Sequence, residues 1–87
     1  MAQEIAERPS IDWVVNAAVT MANVAATKLQ VGDPADAQLA IDALAGILNA
    51  NEGRLEDAEA PLKQTLAQLQ LAYAQRLSGP PPQSPPG

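Results

Sequence analysis

Apolar positions in the first third of the chain recur too densely for a helix with a single buried side. On a wheel of about 100° per residue, Asp12, Asn16, Thr20, Asn23 and Thr27 fall within one arc of roughly 80°, and nearly everything else from Trp13 to Leu29 is apolar. The apolar arc is far wider than the ~100° stripe that a surface helix of a small monomer needs. Ser10, following Pro9, reads as the N-cap, Asp12 suits the positive end of the dipole, and the helix is expected to run to Leu29 or Gln30. Two apolar seams are legible on it. Ile11, Val15, Ala18, Ala22, Ala25 and Leu29 alternate spacings of four and three, as a helix-helix seam does; Val14, Ala17, Met21 and Val24 form the other flank. Spacing alone leaves open which of the two faces outward.

Gly32 supplies a stop, and Asp33-Pro34 an immediate restart with a cap followed by proline at the first helical position. So short a connection predicts an antiparallel pair. The second helix is expected over about 34–51, with Gln38, Asp42 and Asn49 on a narrow polar strip. Its Leu39, Ile41, Leu44, Ile47 and Leu48 spread over roughly 200°. Gly46 is either an exposed glycine or a place where another helix comes close, and Gly53 ends the helix. The third helix has one stripe, Leu62, Leu66, Leu69, Tyr73 and Leu77. Pro61 favours a start near Ala58 with Asp57 as cap.

The pattern therefore predicts an all-α fold, a three-helix antiparallel bundle built as a hairpin plus a lid over residues 10–78. Residues 1–9 read as a flexible polar arm, and 79–87 as a disordered proline-rich tail.

Composition narrows the chemistry. The 87 residues contain no cysteine and no histidine, which removes disulfides and the usual ligands of zinc, copper and haem. Ser10, Thr20, Thr27 and Thr65 have no imidazole to activate them. Glu52, Glu56, Asp57 and Glu59 lack the ligand spacing of a calcium loop and read as a solvated helix start. No enzyme, metal, cofactor or small-molecule substrate is expected. A net charge of -5 with Arg8, Lys28, Arg54, Lys63 and Arg76 scattered argues against nucleic acid. The run from Trp13 to Ala26 is interrupted by polar residues and shorter than the ~20 residues of a membrane span. Residues 1–10 lack a basic stretch followed by an apolar one, so no secretory leader is read there, and a cytoplasmic protein is expected.

Two resemblances add to this. Gly53 to Leu62, preceded by Leu44-Ala45-Gly46, resembles part of one tetratricopeptide repeat, with Gly46, Ala58 and Leu62 at its packing positions and Pro61 departing from its pattern. The likeness covers one repeat and implies a helical hairpin. A wider one runs through Ile11-Asp12-Trp13-Val14-Val15, the alanine-rich stretch to Leu29, Leu39 to Ala45, and Leu66 to Tyr73. In that order these segments resemble the small bacterial family of unknown function numbered 1844. The resemblance implies a short, helical, cytoplasmic protein with no established activity, encoded in some bacteria near translation genes.

With more apolar surface on the first two helices than the third can cover, the expected function is that of a small interaction or scaffold protein that self-associates, a homodimer by default. The candidate interface is Ile11, Trp13, Val14, Val15, Ala18, Met21, Val24 and Leu29 on the first helix, with Ile41 and Leu48 on the second. The alternative is a subunit of a hetero-complex that binds a larger protein, which the second resemblance implies is linked to translation.

Overall fold

A computed structural model describes residues 2–77. Regular structure among them is entirely helical: α1 (Ala2–Glu7), α2 (Ser10–Gln30), α3 (Pro34–Ala50), a 3-10 turn (Glu56–Ala58) and α4 (Glu59–Leu77). The all-α expectation holds. The expected proline-rich tail lies outside the described residues.

The α2–α3 connection is closed at both ends by its own sequence. Gly32 takes φ +83°, which lets its N–H reach Leu29 O (3.3 Å) and the Asp33 N–H reach Lys28 O (2.9 Å), the paired bonds of a Schellman stop. Asp33 Oδ1 then accepts from the Asp36 N–H at 3.3 Å, with Pro34 opening α3 where no N–H is needed. Lys28 and Asp36 pair across the turn at 2.9 Å. That contact, aided by its hydrogen bond and by the charge of Asp36, holds the Lys28 ammonium above its ordinary pKa.

Alanines carry the centre of the hairpin. Ala18, Ala25, Ala37 and Leu44 are fully buried, and Ala22, Leu29, Ala40, Ile41 and Leu48 are buried around them. Small side chains at these positions let α2 and α3 lie close, which makes their contact the most extensive in the fold. Leu62 and Leu69 of α4 and Leu55 of the preceding loop close the remaining side.

Three local expectations are corrected. Residues 1–9 were read as a flexible polar arm, but Ala2–Glu7 forms a helical turn and a half, none of it buried; Ala2, Gln3, Glu4, Ala6 and Glu7 carry good helix propensity, which spacing does not register. Ser10 is the first helical residue rather than the cap: Pro9, extended at φ -61°, ψ 150°, takes that position with no side-chain bond, and its carbonyl receives the Asp12 N–H at 3.0 Å. Asp57 is not a cap either, since it lies inside the 3-10 turn. Pro61 becomes the third residue of α4, where its missing N–H breaks no bond.

Glu59 does the work expected of Asp57, and in the reverse direction. Its carboxylate accepts from the Gly53 N–H through both oxygens at 2.9 Å and from the Leu55 N–H at 3.4 Å, and it pairs with Lys63 at 3.2 Å. The Gly53 bond, followed by Lys63 and Leu55, holds Glu59 below the ordinary carboxyl range. The loop between α3 and α4 is thereby clasped to the first turn of α4, while Glu56 stands in the left-handed region at φ 55°.

Candidate interaction face

One hydrogen bond and one ion pair fix how the helices are turned. Tyr73 of α4 donates to Gln38 Oε1 of α3 at 2.8 Å, so α4 lies on the Gln38 side of α3. Lys28 and Asp36 meet on the opposite side. At about 100° per residue, the side of the hairpin turned away from α4 therefore carries Trp13, Ala17 and Val24 from α2, and Leu39, Ala43, Gly46 and Ala50 from α3, with Met21 and Ile47 half-buried at its edge.

This face is apolar and uncovered. Leu39 is 70% exposed and Val24 36%, and between Trp13 at one end and the Lys28–Asp36 pair at the other it holds no charged side chain. Trp13, 36% exposed, is roofed by the Arg8 guanidinium 5.4 Å from its ring, a cation-π contact. A Cβ placed on Gly46 would meet nothing within 4 Å. No neighbour within the chain thus accounts for a glycine in mid-helix, where it costs about 1 kcal/mol relative to alanine.

The ten residues expected at an interface divide accordingly. Ala18, Leu29, Ile41 and Leu48 are buried in the chain's own core and are corrected to packing residues: Ala18 and Leu29 face α3, and Ile41 and Leu48 lie on the inner side of α3. Ile11, Val14, Val15 and Met21 are half-buried against that core. Trp13 and Val24 stand on the open face. The four-three seam of α2 is the inward one. On α3 the outward residue is Leu39, which the sequence pattern left among the apolar positions without a direction. Its spacing from Ala35, Ala43, Gly46 and Ala50 in steps of four, four, three and four was the available signal, muted because only one of the five is large.

A second feature is a shallow groove of about 390 Å³ between the start of α2 and the 3-10 turn. Ile11, Val15 and Leu55 form its floor, and Arg8, Asp12, Glu56 and Asp57 its rim. Every one of those rim side chains is exposed, so water reaches them all. Among the described residues no group of acidic side chains is arranged to hold a metal, and no helix is long and apolar enough to cross a membrane.

No family model, no curated protein and no solved structure matches the chain. The functional reading therefore rests on the face itself.

Proposed function

We propose that this chain is a small, non-enzymatic, cytoplasmic interaction protein that self-associates through the open side of its α2–α3 hairpin. The observation that carries the reading is the uncharged apolar face opposite α4, which includes a leucine 70% exposed. Surfaces of this kind on small soluble domains mark protein contacts, and the lack of histidine and cysteine leaves little for catalysis to use.

The test separates core from interface by charge. Val24→Glu should leave helicity intact and reduce the mass seen by light scattering to that of one chain. Ala25→Glu, one residue on and fully buried, should unfold the protein, because an unpaired buried charge costs several kcal/mol. A Val24→Glu variant whose mass equals that of an associated wild type would remove α2 from the interface. The hetero-complex alternative predicts a wild type that stays monomeric at all concentrations and aggregates on heating.

A further inference from the structure

We propose that the loop joining α3 to α4 is a latched strap: Leu55 plugs the floor of the groove beside α2, the Glu59 carboxylate holds the plug in, and acid releases it while α2, α3 and α4 stay packed. Few points hold the loop. Leu55, 2% exposed, is its one buried side chain, and Glu52, Gly53, Arg54, Glu56 and Asp57 around it are all exposed. The loop's own backbone bonds, Arg54 N–H to Asn51 O at 2.9 Å and Ala58 N–H to Leu55 O at 3.1 Å, are local turns that tie it to nothing further away. What fastens it to α4 is Glu59, which accepts from the amide of the plug itself and from Gly53 two residues earlier. Glu56, next to the plug, stands at φ 55°, where a β-carbon is strained, so closure carries a cost that opening relieves. The helices do not depend on the loop. Leu62 and Leu69 hold α4 on the hairpin, and Tyr73 bonds Gln38 at the far end. A segment with one buried side chain and exposed backbone bonds opens at lower free energy than packed helices do.

A proton on Glu59 undoes the latch. The charged groups around it are Lys63 on α4, 3.2 Å from Glu59 and 3.4 Å from Glu52; Glu52 and Arg54 in the loop; Glu56 and Asp57 on the 3-10 turn; and Arg8 and Asp12 across the groove. Among the described residues Lys63 is the cation that pairs with Glu59, and the surrounding carboxylates favour its protonation. A neutral Glu59 keeps neither the Lys63 attraction nor the charge-assisted strength of its bonds to the loop amides. The open strap leaves Glu59 an ordinary carboxyl, whereas closure holds it below 4.5, chiefly through the Gly53 amide. The latch is therefore fully effective above that value and lost as pH falls through the lower, closed-state one. Leu55 shares the groove floor with Ile11 and Val15, so its departure opens the groove onto the core.

The chain has no cysteine, so one introduced thiol reports opening without background. Leu55→Cys and Leu44→Cys, the latter fully buried in the hairpin, are labelled with excess thiol reagent at pH 7 in low urea, each rate normalised to that of the unfolded chain. The Leu55→Cys thiol should react about 10-fold faster or more, with little dependence on urea. Adding Glu59→Gln should speed it by roughly 10- to 100-fold. Amide hydrogen exchange at Leu55 in the unsubstituted chain, corrected for its intrinsic rate, keeps the test independent of the shortened plug. Its opening should rise as pH falls from about 6 to about 3, and Glu59→Gln should lose most of that rise. A Leu55→Cys thiol that reacts as slowly as Leu44→Cys, with the same urea slope, together with Leu55 exchange that follows global unfolding, overturns the strap. Labelling and exchange that Glu59→Gln leaves unchanged overturn the latch.

Discussion

The Tyr73 hydroxyl donates to the Gln38 side-chain oxygen at 2.8 Å across 35 residues of sequence, joining the last turns of α4 to the first turns of α3. The ring of Tyr73 packs on the core while its oxygen stays near water, so one residue fixes both the depth and the rotation of α4 on the hairpin. That rotation is what leaves the other side of the hairpin bare. Tyr73→Phe keeps the ring and loses the bond, and should lower stability by about 0.5–1 kcal/mol in urea unfolding. Tyr73→Ala removes the packing as well and should cost about 2–3 kcal/mol. Equal losses for the two would mean that the ring contributes nothing.

Glycine substitutions should divide by backbone geometry. Gly46→Ala places a methyl in open space on a regular helix, and should raise unfolding free energy by about 1 kcal/mol. Gly32→Ala and Gly53→Ala force a Cβ onto residues at φ +83° and +78° and should each lower it by about 1–2 kcal/mol. A thermal melt of the three variants checks the ordering at once.

The Glu59 clasp gives a pH dependence of defined sign. Its folded pKa lies below the ordinary 4.5, so the stabilisation is fully present above that value and is lost as pH falls through the lower, folded one. Denaturant midpoints measured from pH 7 down to pH 2 should fall most steeply below about 4.5. Glu59→Gln, which cannot ionise, should begin less stable at pH 7 and show a shallower acid fall. An unaltered profile in that variant would place the acid sensitivity elsewhere.

Punctuation made the helix boundaries legible: the Gly32-Asp33-Pro34 turn falls where the residue types place it, and Pro61 correctly delays α4. What spacing could not give was orientation. On α2 both seams are apolar, and the buried one is built from Ala18, Ala22 and Ala25 while Val19 and Val24 point outward. Side-chain size suggests the reverse. Close approach of two helices favours the small residues inside, and that is a property of the pair rather than of either sequence segment. The same ambiguity on α3 put Ile41 and Leu48, both buried, into the expected interface and left out Leu39, which is 70% exposed. The cap at Ser10 failed for a different reason, since Pro9 is already extended and precedes a helix that needs no side-chain oxygen to begin.

Mass as a function of concentration tests the central claim most directly. Sedimentation equilibrium of the wild-type chain from about 1 to 500 µM should show a smooth rise from one 9.0 kDa chain to twice that mass. A mass that stays at 9.0 kDa across the whole range would contradict the account.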